Sequence, residues 1–210
     1  MTRDPDRLVL FTDAVVAIAV TLLILPLVEV VAEVAKEQGD PATDPFAVVR
    51  ENWPAIISFL LSFAVIARFW LVHHGVFEHV KAYNNRLIQL NLLWLLCIVV
   101  LPFPTEILGH FENDRFSASF YSGTLLVLAL TQTALTLLIH NHKELAVEDS
   151  PVTGRELVGS ISFAACATIA FLLAALVPGV GLYGLLALIP SGGLARVVSG
   201  YRERAAQKSQ

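Results

Sequence analysis

Charge is what this chain has least of. Only 15% of its 210 residues are Asp, Glu, Lys or Arg, and its mean hydropathy is +0.68. A soluble domain carries about a quarter charged residues, so the deficit excludes an ordinary water-soluble fold and indicates a polytopic membrane protein. Cysteine is also scarce. Cys97 and Cys166 both fall inside apolar runs and read as small buried hydrophobes, not as a disulfide or metal pair. Basic residues are outnumbered, 14 Lys and Arg against 18 Asp and Glu, and the net charge of −4 argues against a nucleic-acid partner. Neither a His-Glu-x-x-His zinc motif nor a Gly-x-Ser-x-Gly nucleophile elbow is present, so neither an enzyme nor a bound cofactor is expected. An internal repeat of two halves is missing as well, which leaves inverted-repeat transporter architecture without support.

Long apolar runs are what the chain has in excess. Six qualify as membrane spans: approximately 8–28, 54–74, 87–104, 116–139, 157–177 and 180–198. The last is interrupted by Pro190, Ser191, Gly192 and Gly193, small residues that also permit close helix contact. The first is longer than a signal-peptide core, and its flank mixes Arg3 and Arg7 with Asp4 and Asp6, so it is expected to remain as a span. With both termini in the cytoplasm, inside segments hold Arg3, Arg7, Lys81, Arg86, Lys143, Arg155, Arg196, Arg202, Arg204 and Lys208. Outside loops then hold only Lys36, Arg50 and Arg115. That bias predicts an even number of spans with both ends inside. The expected architecture is all-α, a single six-helix transmembrane domain over residues 1–198 and a polar cytoplasmic tail over 199–210, in a multi-pass protein of the cell membrane.

The outer connection from Glu29 to Trp53 opens with a helical extension of the first span and stops at Gly39-Asp40-Pro41. Asp44 followed by Pro45 reads as an N-cap with proline at the first helical position of a short helix. A tight turn is expected at Pro178-Gly179-Val180-Gly181.

Polar residues inside the spans carry the functional signal. Asp13 sits five residues above Leu8, about 8 Å into the bilayer. Arg68 sits about 9 Å above His74 and Asn91 about 6 Å above Leu87, with His73 and His74 just below. An acid and a guanidinium at matched depth can pair, either as glue between helices or as part of a proton relay. Adjacent histidines point about 100° apart on a helix, which disfavours one metal on both.

The first helix has two distinct faces. With Ile18 as reference, Leu22 falls about 40° one way and Leu25 about 20° the other, while Asp13 points about 140° away. Phe11 and Ala14 share the Ile18 side, and Thr21 lies at its edge. Asp13 and the Ile18–Leu22–Leu25 stripe therefore cannot serve one surface. The stripe faces lipid, a helix of the same subunit, or a symmetry axis where four such stripes would make a hydrophobic constriction. Periodicity leaves the three open.

The first span resembles the signature of the transmembrane protein 175 family: an arginine, three residues, then Phe-Ser-Asp. Here that reads Arg7, Leu8-Val9-Leu10, then Phe11-Thr12-Asp13, followed by AVVAIAVTLLILPL. LLSFAVIARFWLVHHGVF (Leu60 to Phe77) is similar to the family's second helix, and LNLLWLLCIVVLPFPTEILG (Leu90 to Gly109) to its third. Thr12 stands where the family usually has serine; it keeps the hydroxyl and adds a methyl. The resemblance implies a homotetramer in a lipid bilayer that conducts monovalent cations, potassium above all, without the glycine-rich carbonyl filter of ordinary potassium channels. It further implies hydrophobic pore layers at Ile18, Leu22 and Leu25 and a selectivity-linked threonine at Thr21. The signature pair falls on Arg7 and Asp13, and a packing network on Trp70, His73 and His74. With neither a voltage-sensor arginine ladder nor a cytosolic ligand domain, a leak-like conductance is expected. The competing expectation is a proton-coupled transporter using Asp13, Arg68 and the histidines.

On an unbroken helix Glu29 would fall about 20° from Ile18, at the outer mouth of such a pore, where a ring of carboxylates would concentrate cations. Glu29→Gln is then expected to lower single-channel conductance at low salt only; unchanged conductance at both low and high salt excludes the ring.

Overall fold

Prolines and capping side chains set where the helices start and stop. The computed structural model describes residues 5–37, 45–111, 114–142, 144–147 and 153–177. Among these, helices α1 (Asp6–Leu22) and α2 (Leu25–Glu37) make the first apolar segment, and α3 (Pro45–Glu51) leads into α4 (Trp53–Phe77). Then follow α5 (Asn85–Val100), α6 (Pro102–His110), α7 (Arg115–Asn141) and α8 (Gly154–Leu176).

Pro45 and Pro102 each open a helix, and Pro54 stands in the first turn of α4, positions where a missing N–H costs nothing. Asn84 caps α5 by accepting from Leu87 N at 2.9 Å. Asp114 accepts from Ser117 N at 2.9 Å, and these bonds hold its carboxyl below the usual range. At α8, Thr153 and Glu156 form a reciprocal capping box, with Thr153 N donating to Glu156 Oε2 at 2.7 Å.

Five segments are long and apolar enough to cross a membrane: Asp6–Ala32, Trp53–Phe77, Asn85–His110, Arg115–Asn141 and Gly154–Leu176. The expected sixth span, the turn before it and the tail lie outside the described residues, as do Asp44 and Lys143. Two boundaries differ from expectation. The third span runs past Pro104 to His110, because Pro102 and Pro104 interrupt the helix only at Leu101, where Thr105 resumes the ladder by bonding Leu101 O. The first span breaks at Leu23 and Ile24, since Pro26 has no N–H to offer the carbonyl four residues back at Leu22.

The helices alternate end for end. At one end, Val80 and Ala146 form an antiparallel bridge that ties the α4–α5 and α7–α8 connections, with Lys81 N on Leu145 O at 2.8 Å. At the other end, the start of α4 meets the end of α6 beside Ala55 and Gly109. The most extensive packing is α7 on α8, where Ala164, Ala167, Ala170 and Ala174 are buried and allow close approach. Thr133 and Thr136 of α7 bond the Ser160 carbonyl and hydroxyl. A second buried polar contact joins α4, α6 and α7, with Ser62 Oγ 2.8 Å from Thr105 Oγ1 and 3.0 Å from Tyr121 OH. Helix α1 packs on α4 and α5 and is the least covered span: 17% of its most apolar stretch is buried, against 50% for α7.

A Cβ at Gly109 would meet the Ala55 Cα at 3.2 Å. Gly109→Val is therefore expected to lower stability by about 1–3 kcal/mol through overpacking of α4 on α6. Unfolding in detergent checks this, and an unshifted curve would refute it.

Candidate pore-lining face and the polar network behind it

One face of α1 is fastened to its own subunit. Thr12, Val16 and Ala19 are buried, and Leu23 continues the row just past the helix end, all centred about 130° from Ile18. The other face is bare. Phe11 is 52% exposed, Ile18 61%, Leu22 40% and Leu25 48%, so the described residues leave much of the stripe uncovered. Thr21 is exposed beside it, and its hydroxyl donates to Ile18 O at 2.8 Å, which leaves oxygen lone pairs directed away from the helix. Arg7 is exposed in the first turn.

Behind that face runs a hydrogen-bond chain of fixed direction. Leu8 O can only accept, so the Thr12 hydroxyl donates to it at 2.9 Å. Thr12 Oγ1 then accepts from Asn91 Nδ2 at 2.8 Å, and Asn91 Oδ1 accepts from His73 Nε2 at 2.7 Å. This order places the His73 proton on Nε2. The chain joins α1, α5 and α4, and all three side chains are buried. The His73 ring is further held by Phe77 and Trp94, each with centroids 4.2 Å away.

Asp13 has a different partner from the one expected. Trp70 Nε1 donates to Asp13 Oδ1 at 2.8 Å, and the Trp70 ring lies against His74, centroids 5.4 Å apart. Arg68 forms no ion pair with Asp13; it is exposed and borders a cleft between α4, α7 and α8. The pairing read from matched depth fails because residues 68 and 70 point about 200° apart on α4, so only one of them can face α1. His74 is half-buried, 3.7 Å from Glu78. No group of three or more potential metal ligands occurs among the described residues, and the adjacent histidines have different partners, Asn91 for His73 and Glu78 for His74. Glu29 is exposed on α2, beyond the break, within electrostatic reach of Glu106 on α6. The break means that helical phase carried from Ile18 does not fix its direction.

Of the residues the sequence points to, Thr12, Asp13, Trp70, His73 and Asn91 bond between helices, whereas Ser62, Thr105, Tyr121 and Gln132 carried no motif. Each of those is polar inside a span, which is the only signal that could have found them.

Residues 7–102 match the family model described as "Endosomal/lysosomal potassium channel TMEM175". Over that stretch the chain is similar to TMEM175. A potassium channel of Streptomyces collinus is 34% identical over 137 residues, 63% of each chain. An endosomal/lysosomal proton channel TMEM175 of Danio rerio is 23% identical over 141 residues, 67% of this chain and 26% of that protein. The matched stretches thus span less than two thirds of these relatives. A crystal structure of a lysosomal potassium-selective channel TMEM175 homologue from Chamaesiphon minutus superposes with a TM-score of 0.63 and 25% identity, covering 94% of this chain and 95% of that one. Within this chain Thr12 and Asp13 both face inward to α4 and α5, while Phe11 is exposed on the side of Ile18.

Asn91→Leu strands a buried His73 N–H and is expected to cost about 1–3 kcal/mol. Thr12→Ser keeps the hydroxyl and is expected to cost no more than about 1 kcal/mol for the lost methyl. Thermal unfolding in detergent ranks the two, and a wild-type melting point for Asn91→Leu would remove the chain from the account.

Proposed function

We propose that this chain forms a potassium-permeable, leak-like cation channel of the cell membrane, built as a homotetramer with α1 of each subunit lining a central pore. The observation that carries the reading is the two-faced α1. Its polar face is bonded into its own subunit, and the opposite face leaves Ile18 and Leu22 exposed among the described residues. The potassium-channel names of the bacterial relatives support it.

Four isoleucines around an axis offer a cation no ligand. A tight hydrophobic ring instead raises a dehydration barrier and gates by drying when narrow. Potassium releases its hydration shell more readily than sodium, so partial stripping favours it modestly. Thr21 supports passage next to this ring, because its proton is committed to Ile18 O and its lone pairs are left to accept a cation. Leu22 and, past the break, Leu25 make further apolar layers. Asp13, Trp70, His73, His74 and Asn91 act as scaffold, holding the helix at the rotation that aims Ile18 inward.

The competing transporter reading needs Asp13, Arg68 and the histidines in one relay. Asp13 bonded to Trp70, Arg68 on another face and a Thr12–Asn91–His73 chain ending at a backbone carbonyl all weigh against it. Potassium-gradient flux in liposomes tests conduction itself, and Ile18→Asn tests the constriction. That variant should admit water and shift the reversal potential toward sodium in a potassium–sodium gradient. An unchanged reversal potential would sink the constriction.

A further inference from the structure

A second polar feature lies away from α1 and is not used by the pore. A cavity of about 300 Å³ sits between α4, α7 and α8, at the small end of ligand-site volumes. Its walls are mostly apolar, including Leu71, Val72 and Phe163, and two cations stand on them: Arg68 of α4 and Arg155 in the first turn of α8. Arg68, Leu71 and Arg155 are exposed, so the cavity opens outward along that side. Its inner wall includes Gln132 of α7. That side chain is 3% exposed, yet neither its amide oxygen nor its nitrogen has a protein partner among the described residues. A buried amide bonded at neither end is unusual in a packed bundle and points to a ligand that completes it.

The acid on the wall is already committed. Glu156 accepts from Thr153 N at 2.7 Å through Oε2 and from His79 Nε2 at 3.2 Å through Oε1. Arg68 takes part in no ion pair with the described acids. The Arg68 guanidinium therefore faces the cleft without a counter-ion among the described acids. Its depth also fits a headgroup. Arg155 is at the start of α8, at the end of the bundle closed by the Val80–Ala146 bridge, and Arg68 stands nine residues inside α4, about 14 Å from Phe77. Basic pockets between transmembrane helices at this level suit phosphate headgroups.

We propose that this cleft holds a phosphate ester supplied by a bilayer phospholipid. Arg68 and Arg155 bind the phosphate oxygens, Gln132 donates Nε2–H to a phosphate or ester oxygen, and an acyl chain runs along Leu71 and Phe163. The two guanidiniums supply charge-assisted bonds, and the planar fork of each matches a phosphate edge.

The test uses the purified full chain, delipidated in detergent and titrated with dioleoyl phosphatidylglycerol or with sodium phosphate, read by native mass spectrometry and thermal unfolding. One phosphatidylglycerol per subunit is expected, with a rise in melting temperature. Arg68→Gln and Gln132→Leu should each weaken that binding by at least about tenfold. Gln132→Leu is close in size and removes the unsatisfied amide, so it folds and carries the test should Arg68→Gln misassemble. Equal affinity in wild type and variants overturns the proposal, as does a wild-type chain that takes up no lipid. Equivalent binding of sodium phosphate through the same residues overturns the lipid source.

Discussion

The orientation of α1 rests on hydrogen bonds at consecutive residues. Thr12 and Asp13 are about 100° apart on the helix, and each has its own partner, Asn91 of α5 and Trp70 of α4. Two anchors at different angles fix rotation as well as position, which a single contact would not. Every outward residue of the helix then follows from its phase, including Ile18 and Leu22. A slip of one residue would turn Ile18 by about 100° and bring Thr12 or Asp13 toward an apolar surface without partners. The cost of that burial holds the register.

Helix breaks divide the work along each span. The break at Leu23 and Ile24 separates the rotation-locked α1 from α2, and the Leu101 break separates α5 from α6. In both places a proline withholds an N–H, and at the second break the freed Ile98 carbonyl accepts from Leu101 N at 3.3 Å instead. The halves nearer the Val80–Ala146 bridge hold the Thr12–Asn91–His73 chain, and the opposite halves hold Glu29 and Glu106. The bonds that anchor α1 thus lie in one half of the bundle, and the Ser62–Thr105–Tyr121 contact lies in the other.

The α4 helix serves two surfaces with alternate residues. Trp70 and His73 face α1 and α5, whereas Arg68, Leu71 and Val72 face the cleft with α7 and α8. This division explains why one arginine and one tryptophan, two positions apart, belong to unrelated features. It also explains why both faces of α4 tolerate polar atoms inside an apolar segment: each is directed at a specific partner or opening and not at bare lipid.

Much was legible before any coordinates. Scarce charge and repeated apolar runs gave the membrane class, Pro45 and the Thr12–Asp13 signature marked a helix start and an anchored face, and periodicity separated Asp13 from Ile18. These are properties of composition and of one helix at a time, which the sequence determines directly. Whether Asp13 would meet Arg68 or Trp70, and whether Gln132 would be left without a partner, depended on the rotation of one helix against the next. That rotation is set by side chains interlocking across helices far apart in sequence, so only the tertiary structure decided it.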